Sequence, residues 1–154
     1  LVQMGQGRGG FYSYDWLENL IGLDIHSANE IMPRFQSLNV GDIVRMHPTG
    51  GLEVAALEPE RDLVFYADAD TQAGNRSEMT GVPGDDPLDF ASTWSFHLRP
   101  LNSQPTRLIV RSQGNWHPNI GASLLWGVIM APVDLIMSHK MLWGIKKRAE
   151  TAHA

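Results

Sequence analysis

The chain has 154 residues, 43% of them hydrophobic and 19% charged, which suits one globular domain with its own core and excludes a disordered chain. Twelve Lys and Arg against seventeen Asp and Glu leave a formal net charge of -5, which argues against a general nucleic-acid binder, because that role needs surplus cations to displace counterions from phosphate. With no cysteine present, disulfides, thiolate zinc sites, iron–sulfur clusters and a cysteine nucleophile are excluded and the redox compartment stays open.

The chain starts at Leu1 without a basic–apolar–small signal pattern, so the start reads as a fragment edge or a processed terminus, and a cytoplasmic location is expected. Residues 1–10, LVQMGQGRGG, are a short apolar stub with four glycines. Gly5, Gly7 and Gly10 match G-x-G-x-x-G, but a dinucleotide site also needs a preceding strand, a parallel βαβ unit and an acid ending the second strand. Glu30 precedes the next strand instead, so a tight glycine turn is the favoured reading. Residues 11–21 carry helix signals: Ser13 as a cap, Asp15 in the first turn, Trp16, Leu17, Leu20 and Ile21 at helical spacing, and Gly22 as the stop. Pro33 breaks any longer helix, and Asn39–Asp42 reads as a turn into a strand.

From Asp42 the apolar period changes to two. Strands are expected over 42–47, ended by Pro48 and the Gly50-Gly51 pair, over 52–57, and over 63–66 after a turn at 58–62. Residues 67–89 are an acidic, weakly hydrophobic loop without EF-hand spacing, so no metal site is expected there. A long strand follows over 90–101, with Trp94, Phe96 and Leu98 on one face and Ser95, His97 and Arg99 on the other. A turn at 102–105 returns the chain through 106–112, with Leu108 and Val110 on one face and Arg107, Ile109 and Arg111 on the other.

The C-terminal segment, 123–150, reads as a long amphipathic helix through Leu125, Ile129, Val133, Ile136, Met137, Met141 and Ile145. Pro132 either kinks it or marks its true start, and Lys146, Lys147 and Arg148 suit its C-terminal end. Residues 120–137 approach membrane-spanning length, but Asp134 and Pro132 inside the window favour a core helix over a sheet.

The six histidines show neither the i,i+4 pair with an intervening glutamate nor an H-x-H strand motif, and no G-x-S-x-G elbow occurs. His97, mid-strand, is the one singled out as a candidate acid or base. Arg111 has two readings: facing inward it needs a partner, from Asp15, Glu18 or a ligand carboxylate; facing outward it is a solvated arginine. The aromatic and methionine side chains on both sheet and helix are ordinary core, or else the walls of an apolar cavity.

Five segments together resemble the SRPBCC superfamily, the START/Bet v 1-like and polyketide-cyclase-like proteins, in an uncharacterised bacterial branch. They are Gly9–Asn19 (GGFYSYDWLEN), Asp42–His47 (DIVRMH), Trp94–Leu101 (WSFHLRPL), Thr106–Ser112 (TRLIVRS) and Met141–Glu150 (MLWGIKKRAE). The resemblance covers nearly the whole chain and implies one α+β domain over 1–154. It implies a helix-grip fold, in which a curved antiparallel sheet wraps a long C-terminal helix around an apolar cavity. The first strand and helix start usual before the segment matching Leu1–Met4 are missing here, so the sheet is expected to lack an edge strand that another chain could supply.

The function expected on this basis is binding of a hydrophobic small molecule, lipid-, polyketide- or isoprenoid-like, without a cofactor, metal, nucleic acid or membrane partner. Tyr14, Trp16, Phe65, Trp94, Phe96, His97, Arg111, Met137 and Met141 are the expected cavity residues. Tyr14, His97 or Arg111 would orient the ligand's one polar group. The alternative is a cyclase or dehydratase in the same cavity, with His97 or a desolvated Asp15 as acid or base. A membrane-associated protein using residues 120–137 is the third reading.

Overall fold

The computed structural model describes residues 1–48, 50–68, 70, 90–102, 105–116, 127–128 and 131–151. Its elements are a short helix α1 (Asp15–Leu20), a single 3-10 turn (Pro33–Phe35), strands β1 (Ile43–His47), β2 (Gly50–Glu58), β3 (Asp62–Asp68), β4 (Phe90–Pro100) and β5 (Thr106–Trp116), and helix α2 (Ala131–Thr151). Contacts gather into two compact units, Leu38–His117 and the pair of segments Leu1–Ser37 with Pro118–Ala154.

The unit Leu38–His117 is a five-stranded antiparallel meander in the order β1-β2-β3-β4-β5. Its entry is the expected turn: Asp42 accepts a bond from the Asn39 N–H at 2.8 Å, and Asp42 N–H donates to Asn39 O at 3.1 Å. The glycine pair does not end the hairpin's first strand but opens its second, because His47 pairs directly with Gly50. Bulges interrupt the ladder between Arg45 and His47 and between Val54 and Ala56. Such bulges bend and twist the strands that carry them.

Register puts Phe65 opposite Trp94 and Leu63 opposite Phe96, which in turn faces Val110. Val44, Val54, Leu63, Phe65, Ala67 and Phe96 are all buried on that face. Phe65 and Phe96 meet edge-on with centroids 6.2 Å apart, and Trp94 lies 4.7 Å from Phe96. Each of the larger side chains contributes about 1.5–3 kcal/mol by leaving water. The opposite face carries Asp62, Ser95, His97, Arg99, Arg107 and Arg111, so the expected alternation of β4 and β5 holds. Of the acidic segment 67–89, Ala67 and Asp68 belong to β3; apart from Asp70, the rest lies outside the described residues.

In the second unit the N-terminal glycines form a tight hairpin. Gly5 and Gly10 exchange both backbone bonds, at 3.1 and 3.0 Å. Gly10 has φ +69°, and a Cβ there would stand 2.7 Å from the Ser27 Cα. The turn is therefore a packing device, and the described sheet is wholly antiparallel, as the glycine-turn reading requires. Gln3 ties this turn to residues 30–36: its Nε2 donates to Glu30 O, and its Oε1 accepts from Met32 N–H and Gln36 Nε2.

Helix α1 is shorter than expected, and Ser13 is not its cap. Tyr14 occupies the cap position without a side-chain bond, while Ser13 Oγ donates to Glu18 Oε1. Trp16, Leu20 and Ile21 are exposed, whereas Glu18 is buried. The reason is local: the Asn19 side chain exchanges two bonds with Ile25, at 2.8 and 2.6 Å, turning the chain back just after the helix.

Helix α2 begins at Ala131, so Pro132 sits in its first turn, where a missing N–H costs nothing. Residues 123–126 and 129–130 of the expected helix lie outside the described residues. Met141 and Gly144 are its buried positions. Ile136, expected on the apolar face, is 57% exposed, and so is its neighbour Leu135 at 71%. The packing face is set by a close approach instead. A Cβ on Gly144 would fall 2.7 Å from the Tyr12 Cβ, and Arg148 Nε donates to Ala28 O at 2.7 Å.

Candidate functional site

Within the unit of the two terminal segments, a cleft of about 360 Å³ opens between residues 12–16, Ser27, Asn29 and the second half of α2. Tyr12, Tyr14, Trp16 and Trp143 supply its aromatic surface. Lys140, Lys147 and Arg148 supply positive charge, against the single carboxylate of Asp15.

Each group is held by identifiable contacts. Asp15 accepts from both the Ser27 N–H and the Ser27 hydroxyl at 2.6 Å, so its carboxylate is spent on ordering the loop. Ser27 Oγ also accepts the Tyr12 N–H at 2.8 Å, which pins Tyr12 at φ 62°. Arg148 stacks its guanidinium 4.0 Å from the Tyr12 ring centre and donates to the Gly144 and Ala28 carbonyls. Lys140 Nζ lies 5.7 Å from the Tyr14 ring and 5.3 Å from the Trp143 ring, and Lys147 Nζ lies 5.8 Å from Trp143. These cation–π contacts hold the ammonium groups over apolar surface and are worth about 0.5–1 kcal/mol each where exposed. Burial pushes the Tyr12 phenol up, against smaller opposing effects of Gln3 and Arg148. Burial also pushes the Glu18 carboxyl up, opposed by the Ser13 bond and aided by Asp15.

The sequence-derived site residues fall into three groups. Tyr14 and Trp16 line this cleft. Met141 is buried on α2, with Met137 half-buried one turn earlier. Phe65, Trp94 and Phe96 cluster on the apolar face of the sheet. His97 and Arg111 stand on the opposite, polar face, so they are not neighbours of that aromatic cluster. Arg111 is exposed, which selects the solvated reading over the buried one. Asp15 and Glu18, offered as its partners, are engaged by Ser27 and Ser13.

Lys140, Trp143, Lys147 and Arg148 were not among the expected cavity residues. Their spacing, with Gly144, follows one helix face and was the available signal. Among the described residues no three His, Asp or Glu side chains gather as a metal site, and no helix is long and apolar enough to cross a membrane. The window 120–137 lies partly outside the described residues. No protein-family profile, curated protein or solved structure matches the chain.

Proposed function

We propose that the protein binds a small hydrophobic molecule carrying one anionic group, in the cleft formed by residues 12–16 and α2. The observation that carries this reading is the pairing of aromatic walls with Lys140, Lys147 and Arg148 in one cleft of about 360 Å³. That volume lies within the range of small-molecule sites. Ring faces of Trp16 and Trp143 take up apolar area, and the lysine ammonium groups orient the anion. The polar anchor in this reading is drawn from α2, in place of Tyr14, His97 or Arg111, which were expected in that role. The resemblance to SRPBCC proteins and their helix-grip fold belongs to the same proposal, and an antiparallel five-stranded sheet with a C-terminal helix is compatible with it.

The test uses two fluorescent probes of similar shape, anionic 1-anilinonaphthalene-8-sulfonate and neutral N-phenyl-1-naphthylamine. Saturable binding of the sulfonate is expected, tighter than that of the neutral probe. Lys140→Gln with Lys147→Gln should weaken the sulfonate tenfold or more and leave the neutral probe unchanged, since bonds to charged groups are worth about 1.5–3 kcal/mol. Equal affinity for both probes, or no effect of the double substitution, refutes the reading.

A further inference from the structure

The unit Leu38–His117 holds a second cluster that ligand binding does not use. Asp62 Oδ1 lies 2.5 Å from His97 Nδ1, and His97 Nε2 lies 3.0 Å from Ser95 Oγ. Strand register produces this line: Asp62 is directly opposite His97, and Ser95 is two residues along β4 on the same face. Arg99 Nη2 also reaches Asp62 Oδ1, at 2.9 Å. The bonds from His97 and Arg99 hold the Asp62 carboxyl below its usual range, so it is ionised at neutral pH.

An ionised carboxylate at Nδ1 keeps the imidazole proton on that nitrogen. The lone pair of neutral His97 is then on Nε2, facing the Ser95 hydroxyl. The alternative acceptor for that hydroxyl, the Arg111 carbonyl, is farther away, at 3.4 Å. Sheet pairing does not require these side-chain bonds, because β4 is laddered to β3 and β5 through its backbone along its length. Arg111 stands directly across from Ser95, and Arg107 across from Arg99, on the same face. Both are exposed. The cluster is therefore bordered by three guanidinium groups.

We propose that Ser95, His97 and Asp62 act as nucleophile, base and orienting carboxylate for hydrolysis of small esters that bear an anionic group. In the first half-reaction Ser95 Oγ bonds to the acyl carbon while its proton passes to His97 Nε2. The acyl–oxygen bond to the alcohol then breaks, and the departing alkoxide takes that proton. Water then bonds to the acyl carbon as its proton passes to the same nitrogen; the bond from that carbon to Ser95 Oγ breaks, the acid leaves, and Oγ takes the proton back from Nε2. Arg111 faces the charge that develops on the acyl oxygen, and Arg99 and Arg107 favour a substrate carboxylate. Ser95 is only 8% exposed, which confines the acyl group to a slim one.

The experiment treats the full chain with a fluorophosphonate and maps the adduct by peptide mass spectrometry. An adduct on Ser95 is expected, absent in Ser95→Ala and formed about 10²–10⁴-fold more slowly in His97→Gln. Hydrolysis of p-nitrophenyl hydrogen succinate should exceed that of p-nitrophenyl acetate; Arg107→Gln should erase the difference, and Arg111→Gln should slow both. Ser95→Ala removes one hydroxyl and reports the background rate of a folded chain. If His97→Gln fails to fold, the unsubstituted chain still decides: its labelling rate must rise with pH. No Ser95 adduct, or labelling indifferent to both pH and His97, overturns the proposal. Ser95 reactivity and probe binding in the cleft belong to different units, so either fails without the other.

Discussion

Replacing Gly144 by alanine should destabilise the protein although alanine is the better helix former. In the middle of α2, Gly→Ala alone should add about 1 kcal/mol. The new Cβ, however, would lie 2.7 Å from the Tyr12 Cβ and 2.9 Å from the Tyr12 carbonyl oxygen, where ordinary contact needs about 3.5–4.0 Å. Tyr12 cannot simply retreat. Its backbone sits at φ 62°, its N–H is bonded to Ser27 Oγ, and its ring lies under Arg148. Overpacking against a fixed neighbour costs about 1–3 kcal/mol. The sum is a net loss of up to about 2 kcal/mol, at roughly 2–4 °C in Tm per kcal/mol for a chain of this size. Thermal unfolding followed by circular dichroism measures it, with exposed His139→Ala as the propensity control, which should leave Tm unchanged or slightly raised. A Tm for Gly144→Ala above that of the unsubstituted chain would refute the packing of α2 on Tyr12.

Phe96→Ala should cost about 3–5 kcal/mol in urea unfolding, because Phe96 is fully buried between Phe65 and Trp94. Trp94→Ala, at a half-buried position, should cost less, and the reverse order would move the core off this face. The Glu18 carboxyl is raised on folding, so the native state holds more protons than the unfolded chain as pH climbs through the carboxylate range; stability should fall over that rise, and Glu18→Gln should flatten it. Asp62 is lowered on folding, so its contribution is complete above the usual aspartate range and is lost as pH falls below it. Asp62→Asn should remove that acid-side loss, as read from urea midpoints between neutral pH and pH about 3.

The β-meander was legible because its strands obey one rule. Alternation along β4 separates Trp94, Phe96 and Leu98 from Ser95, His97 and Arg99, and the short connection at residues 101–105 leaves β5 little choice of register. The segment 11–21 shows the opposite case. Its apolar spacing is helical, yet Trp16, Leu20 and Ile21 are exposed and Glu18 is buried. Side-chain bonds to residues 25 and 27, from Asn19 and Asp15, decide where that helix stops and which way it faces. Such bonds have no periodicity to betray them.

Both clusters argued for function were hidden for the same physical reason: each depends on register between segments far apart in sequence. Asp62 meets His97 only because β3 pairs with β4 in one particular alignment, and the connection between those strands, residues 69–89, is too long to dictate it. On α2 the misleading guide was hydropathy. The expected apolar stripe holds at Met141, which is buried, but Ile136 on it is exposed, and the face that packs also carries Gly144 and Arg148. A glycine permits an approach that no larger residue allows, and an arginine can bury its stem while spending its guanidinium on carbonyl groups and a ring. The same choice of face brings Lys140, Trp143 and Lys147 to the cleft. The contact that orients α2 on Tyr12 is therefore also the one that builds the proposed binding site.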